Sequence, residues 1–528
     1  MAKKFNVTGT CIPEKHFMVN IDNKLNNIMK LIKEEEYFVI NRPRQYGKTT
    51  TLFLLNRYLK SDKKYLPIKI SFEGIGDTIF EKEEAFSQIL LELISKSLRL
   101  ENEDLANFIY EGKFKVINLN ELSKMLTNFI NKADRRVVLM IDEVDKSVNN
   151  QLFLSFLGML RSKYLLRNEG EDSTFHSVIL SGVHDVKSLK LKLRPETLHK
   201  YNSPWNIAAD FNVDMSFSES EIMTMLDDYC NSLKIKMERG YFAKRLYYYT
   251  SGYPFLVSKL CKIIDGEIMQ GTEWKNEYMD AAVKKIVNND NTNFDSLIKN
   301  IENNLELYNF LKRIVLDGEN ITYVKTDEII NLATIYGILK EENGNCKINN
   351  RIYEQLIYDH MMMRVIRKNT YTSMSHYNYK DNFIKEDGNL DVRKILIKFQ
   401  EFMKHEYAQK REAFLEEDGR LVFLAFISPI INGTGFAFKE VTGGEEKRFD
   451  IVITYAKKMY ILELKIWYGE EYHKRGIIQL GEYLQQYGLD EGYLLIFDFR
   501  KIKSLSGSVE EVTVNIGQSD KKLLEVYC

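Results

Sequence analysis

The sequence predicts an α/β protein: a parallel sheet with helices on both faces at the N-terminus, then helical segments, then an α+β section with a mixed sheet. Three observations carry this. Short apolar runs alternate with amphipathic stretches over residues 1–210. The strand signal fades between about 215 and 290 and gives way to helical periodicity. Strand-like runs return after residue 430.

Composition narrows the classes. The chain has 528 residues, enough for about three or four domains. Lys+Arg total 74 and Asp+Glu 75, for a net charge of −1, so a histone-like coat for nucleic acid is excluded and any such contact must be local. Hydrophobic residues at 44% and charged residues at 28% suit folded domains rather than disorder. No apolar run of about 18 residues is present, so no membrane span is expected. Five scattered cysteines form no CxxC pair, which argues against a disulfide framework or zinc knuckle and fits a reducing cytoplasm.

Taken in order, Tyr37–Ile40 reads as a short buried strand, followed by a turn and a helix over Thr49–Leu59. Leu66–Phe72, Val137–Ile141 and Ser177–Ser181 read as further strands, with helices such as Phe86–Leu98 and Leu122–Ile130 between them. Ser218 with Glu221 three residues on marks a helix start. Phe242–Tyr249 and Tyr253–Met269 continue the helical pattern. A helix from Thr326 to Gly337, then short runs flanking Gly344, outline helices plus a hairpin, as in a winged helix. The polar, Asn/Tyr/Lys-rich residues 366–390 read as a linker. The last section opens on a helix over Val392–Leu415 and an apolar run Leu421–Ile431. Strands Gly435–Glu440, Phe449–Tyr455, Lys458–Leu464 and Gly492–Asp498 follow, with a helix over 473–488. The expected domains are a core over 1–210, a helical lid over 211–295, a winged-helix-like module over 296–365, the linker, and an α+β domain over 391–528.

The segment Asn41–Thr50 lies between a strand and a helix, where backbone N–H groups at a helix N-terminus can cradle phosphate. Arg44, Gln45, Tyr46, Gly47, Lys48, Thr49 and Thr50 are the candidate loop. Lys48 would reach the β/γ-phosphates of ATP and Thr49 would hold Mg²⁺. The first glycine of Gly-x-x-x-x-Gly-Lys-Thr is replaced by Arg42, and Gly-Lys-Thr alone is a common tripeptide. The apolar strand Arg136–Ile141, ending in Asp142-Glu143, strengthens the reading. Asp142 at the C-terminal edge of a parallel sheet can hold Mg²⁺, and Glu143 can orient the attacking water. Ser181 is a candidate γ-phosphate sensor, with His184 the weaker choice. Arg161 and Arg167 are either fingers for a neighbouring subunit or ordinary helix residues.

These residues carry a resemblance. Phe5–Pro13, His16–Val19, Asn41–Thr50 and Phe72–Gly76 resemble the AAA-like ATPase domain family of bacterial proteins often fused to nucleases, over roughly residues 5–290. The resemblance implies that an Arg-Pro-Arg-x-(Phe/Tyr)-Gly-Lys-(Ser/Thr) loop stands in for the standard one. It also implies that Ser251–Phe255 belongs to a helical lid, and it leaves open whether ATP is hydrolysed or only bound.

A second constellation lies near the C-terminus. Asp450 lies on one strand, and Glu463 and Lys465 fall on the next, with 12 residues between Asp450 and Glu463. Period-2 geometry puts Glu463 and Lys465 on one face. Hard carboxylate oxygens suit Mg²⁺, which would activate water, while Lys465 positions the nucleophile. The pattern resembles the core of the PD-(D/E)xK nuclease superfamily over roughly residues 392–500. Gln479, with Tyr483 four residues on, matches a Gln-x-x-x-Tyr extension. The resemblance implies a third acid from the first helix, either Glu416 or Glu417 (Glu417 as metal ligand). The plain alternative is a surface ion pair between Glu463 and Lys465.

The combined expectation is an ATP-binding switch protein, as a homo-oligomer, carrying a Mg²⁺-dependent endonuclease whose partner is DNA. Family analogy alone points to defence against foreign DNA or maintenance of a mobile element. The alternative is a non-catalytic, ATP-regulated signalling or DNA-binding protein with a degenerate nuclease fold, and RNA is a third possible substrate.

Overall fold

The four apolar runs of the N-terminal half form one parallel sheet. The computed structural model describes residues 3–147, 151–183, 205–288, 292–315, 319, 321–368, 383–406, 416–431, 435–438, 450–456, 458–498, 508–516 and 519–528. Helix α1 spans Asp22–Lys33; β1 (Phe38–Asn41) leads into α2 (Lys48–Ser61), and β2 (Tyr65–Ser71) follows. Then come α3 (Glu83–Leu98), α4 (Glu103–Gly112), α5 (Leu119–Lys132), β3 (Arg136–Asp142), α6 (Gln151–Glu169) and β4 (Ser177–Gly182). The strand order is β1-β4-β3-β2, every pair parallel. Apolar side chains alternate between the two faces, as a sheet buried on both sides requires. Val39, Ile68, Leu139 and Leu180 pack under α3 to α6. Phe38, Ile40, Val138, Met140 and Ile179 are buried on the other side, where α2 crosses the sheet.

The segment read as a helical lid contains α7 (Glu219–Leu233), α8 (Arg239–Thr250), α9 (Pro254–Ile263) and α10 (Glu277–Asn288), and α11 (Thr292–Glu302) begins at its end. Ser218 and Glu221 form the expected reciprocal capping box at α7. Beyond α12 (Leu305–Val315), α13 (Glu328–Ile335) leads into the antiparallel hairpin β5 (Leu339–Glu342)–β6 (Asn345–Ile348). Helix α14 spans Arg351–Lys368.

The chain divides into two compact units. One holds Met1–Asn300 with Tyr323–Tyr353; the other holds Ile301–Thr322 with Glu354–Cys528. The segment read as a winged-helix-like module is thus shared between them. The stretch read as linker is structured at both ends that are described. Helix α14 runs through Lys368, and Phe383 and Leu390 are buried in the core of the second unit. Their apolar side chains are better buried than solvated, which a count of Asn, Tyr and Lys overlooks.

The second unit is built on a mixed sheet ordered β11-β12-β10-β9-β8-β7. Helices α15 (Val392–Glu406) and α16 (Glu416–Ile431) precede β7 (Gly435–Phe438), β8 (Ile451–Tyr455) and β9 (Lys458–Ile466). Helix α17 (Glu470–Gln486) and β10 (Glu491–Phe497) follow. The sequence reading stopped there, but β11 (Val509–Ile516) and β12 (Ser519–Tyr527) extend the sheet, β12 lying parallel to β10. Leu462, Leu464, Leu495 and Phe497 pack against α15 and α16. Val452, Ile461, Leu494 and Ile496 pack against α17.

One half-buried acid in this unit, Asp359, affects stability. Burial pushes the Asp359 carboxyl up to about 6, against a hydrogen bond from Gln355 Nε2 at 2.8 Å. The folded-state value lies above the unfolded one. The group therefore favours folding below pH ~4, and that contribution is lost as the pH rises through ~6, costing up to about 3 kcal/mol at neutral pH. Asp359→Asn should raise Tm at pH 7–8 and leave it unchanged at pH 4; equal shifts at both pH values would contradict this.

Candidate functional site

The loop after β1 ends at Gly47, whose φ of 76° is left-handed and suits glycine. Helix α2 starts there with no side-chain cap, and among the described residues nothing lies within 4 Å of where a Gly47 Cβ would be. The orphan N–H groups of the first turn therefore sit at an open, anion-accepting helix end. Lys48 is buried, and its Nζ donates to the carbonyls of Arg42 at 2.8 Å and Pro43 at 2.9 Å. Burial lowers its pKa, opposed by the carboxylates of Asp145, Glu143 and Asp142. Thr49 is half-buried beside it, and Thr50 Oγ1 accepts from the Cys11 N–H at 3.0 Å, which ties the N-terminal segment to the helix.

Strand β4 lies between β1 and β3, so Asp142 stands two strands from the loop. Asp142 is buried, and its Oδ1 accepts from Ser181 Oγ at 2.8 Å and from the Glu143 N–H at 3.1 Å. Ser181 therefore holds the acid in place. Glu143 follows in a left-handed conformation, φ 56°, which turns its side chain away from the strand's alternation. Burial, then the neighbouring Asp142, raises the Glu143 pKa. A raised value brings a carboxylate base closer to neutral pH. The residue types fit a triphosphate with Mg²⁺: uncapped N–H groups, a buried lysine, a threonine and a buried acid.

Three residues act differently from what the sequence suggests, or were not singled out. Arg42 donates to the carbonyls of Phe211 at 3.3 Å and Val213 at 2.7 Å and lies over the Phe211 ring, so it anchors chain rather than phosphate. Asp145 accepts from the Val183 N–H at 2.7 and 2.8 Å, joining the ends of β3 and β4; its place three residues after Asp142 was the available signal. Arg167 donates to the carbonyls of Phe175 and His176 and packs on Tyr164, so it serves the fold, as an ordinary helix residue does. His184 lies outside the described residues.

Arg44, Gln45 and Tyr46 form a bulge held from outside the loop. Arg44 is exposed, and its carbonyl accepts from Tyr253 OH at 2.6 Å. Gln45 is left-handed at φ 59°, and its Oε1 accepts from Asn293 Nδ2 at 2.7 Å. Tyr46 is buried, 4.6 Å from the Tyr253 ring, and its hydroxyl accepts from Asn349 Nδ2 at 3.0 Å.

In the second unit, β8 and β9 pair antiparallel with Ile451 opposite Leu462. Carrying that register one residue further sets Asp450 opposite Glu463. Both are buried, on the sheet face that α17 covers. Asp450 Oδ2 accepts from the Leu464 N–H at 2.8 Å, and Arg420 approaches its Oδ1 at 3.9 Å. Lys465 Nζ is 2.8 Å from Glu463 Oε1, and its side chain runs past Gly476 of α17, the helix that carries Gln479. Gln479 Nε2 donates to Tyr483 OH at 2.6 Å. Arg420 was no candidate from sequence, where it only marks the start of an apolar run. Two carboxylates on one face suit a hard divalent cation. No cluster of three or more His, Cys, Asp or Glu able to hold a metal is found among the described residues. The side chains of Glu416 and Glu417 lie outside them.

A parallel sheet whose first strand runs into a Gly-Lys-Thr helix start, with an acid-tipped strand two places away, is a P-loop-like core. The chain belongs to the AAA-like domain family, whose sequence pattern matches residues 11–359. The match thus takes in α7 to α13 and the β5–β6 hairpin. No curated protein matches it in sequence. Among solved structures it is similar to the Walker-type ATPase of Pyrococcus abyssi, at 12% identity over 67% of this chain and 99% of that one, TM-score 0.47. It is also similar to a RuvB variant of Thermotoga maritima, at 12% identity over 65% and 96%, TM-score 0.33. A third is the ORC1 protein of Aeropyrum pernix in complex with DNA, at 11% identity over 66% and 94%, TM-score 0.31. No helix among the described residues is long and apolar enough to cross a membrane.

Proposed function

We propose that the chain is an ATP-dependent switch whose second unit is a Mg²⁺-dependent nuclease acting on DNA. The observation that carries the first half is Lys48, buried at an uncapped helix start and surrounded by Asp142, Glu143 and Asp145. Gly47–Thr50 would bind the phosphates with Lys48 neutralising them, and Thr49 and Asp142 would hold Mg²⁺, which would supply charge neutralisation at the phosphoryl group. Glu143 orients the water and takes its proton. Glu143→Gln should retain ATP binding and lose about 10²-fold or more in hydrolysis rate, measured by phosphate release. Wild-type turnover in that variant would remove Glu143 from the chemistry.

The second half rests on Asp450 facing Glu463 with Lys465 bonded to the latter. Here Asp450 and Glu463 would hold the cation, with Glu417 as the third acid, while Lys465 and Gln479 position the water. One observation favours the non-catalytic alternative: Lys465 and Arg420 already balance both carboxylates. Plasmid nicking with and without Mg²⁺ separates the two. Assembly into a homo-oligomer, with nucleotide state controlling access to the nuclease, completes the proposal.

A further inference from the structure

The bulge Arg44–Tyr46 is bonded to residues far along the chain that no phosphate-binding role requires. Asn349 Nδ2, immediately after β6, donates both to Tyr46 OH at 3.0 Å and to the Gly337 carbonyl at 2.9 Å. Gly337 itself lies against the loop: a Cβ there would be 2.8 Å from Pro43 Cβ, and its φ of 72° excludes most other residues. Tyr353 OH reaches Asn293, which in turn holds Gln45. The hairpin segment 323–353 is thus packed against Pro43 and bonded to the Tyr46 side chain of the loop that would wrap a phosphate chain.

We propose that segment 323–353 reports on nucleotide occupancy, with Tyr46 and Asn349 as the linking pair. This rests on reading Gly47–Thr50 as a nucleotide loop. Two features make the contact suited to carry a signal. Tyr46 sits next to Gly47, so any adjustment of the loop around phosphate moves its ring. Asn350 Nδ2 is buried and has no hydrogen-bond partner among the described residues. An orphaned buried donor penalises this arrangement and leaves room for another in which it is paired. Coupling between two sites is reciprocal: if the hairpin contact holds the loop ready for phosphate, nucleotide must equally hold the hairpin.

The test is hydrogen exchange of the full chain, with and without a non-hydrolysable ATP analogue and Mg²⁺, read at Leu339–Ile348. Nucleotide should slow exchange there in the wild type. Tyr46→Phe keeps the ring and removes only the hydroxyl. It should weaken analogue binding about fivefold and cancel the added protection. Asn349→Ala cuts the same bond from the other end and should give the same loss, which guards against a variant that fails to fold. Wild type that binds analogue with unchanged hairpin exchange overturns the inference alone, as does Tyr46→Phe behaving like wild type. Wild type that binds no nucleotide overturns the underlying reading as well.

Discussion

Lys48→Ala should abolish useful nucleotide binding while leaving the protein folded. Lys48 would make charge-assisted hydrogen bonds to phosphate from a desolvated position, each worth about 1.5–3 kcal/mol. Losing two of these weakens binding about 10²-fold or more. The cost to the nucleotide-free fold is smaller. The carbonyls of Arg42 and Pro43 lose one donor at the edge of an open loop, about 1 kcal/mol. Calorimetric titration with ATP and Mg²⁺ should therefore show heat for wild type and none for the variant. Thermal melts should show a ligand-induced rise in Tm for wild type only. Lys48→Arg should not rescue, because a planar guanidinium cannot replace a compact ammonium in a buried position. Wild-type affinity in Lys48→Ala would place the nucleotide elsewhere.

Glu463→Gln should remove metal-dependent cleavage. The substitution preserves shape and removes a ligand charge, and the metal's stabilisation of the reacting phosphate is worth several kcal/mol, so about 10³-fold in rate is expected. It also leaves Lys465 facing a neutral amide where it now faces a carboxylate at 2.8 Å. A modest loss of stability, about 1–3 kcal/mol, should accompany the loss of activity. Supercoiled plasmid with Mg²⁺ or Mn²⁺ is the direct assay. Cleavage by the variant at the wild-type rate would move the site. A folded wild type inert with either metal would instead support the degenerate reading.

Much of this was legible locally. The four strands of the first unit appear within a residue or two of where apolar runs end, because strands buried on both faces read as continuous hydrophobic stretches. Asp142 is legible for the same reason, since it ends the apolar strand β3, whereas Lys48 is legible from the Gly-Lys-Thr tripeptide that opens α2. The common face of Glu463 and Lys465 follows from the period of a strand alone.

What was missed depends on partners distant in sequence. Tyr46 looked like one more loop residue, and only the fold brings Asn349, 303 residues away, onto its hydroxyl. Arg42 looked like a substituted loop glycine; its commitment to Phe211 and Val213 depends on a chain crossing that no local pattern encodes. Strand β11 was overlooked because its apolar side is thin. Glu510, Glu511 and Asn515 interrupt it, as charges often do along a sheet edge. The end of the supposed linker was misread because Phe383 and Leu390 are isolated apolar residues, and their burial is decided by the sheet they meet.

A crystal structure of the full chain with a non-hydrolysable ATP analogue and Mg²⁺ tests the central claim most directly. The account predicts the triphosphate lying against the N–H groups of Gly47–Thr50, with Lys48 Nζ on its oxygens and the cation between Thr49 and the Asp142 side. A triphosphate bound away from α2, or a saturated crystal with this loop empty, would contradict it.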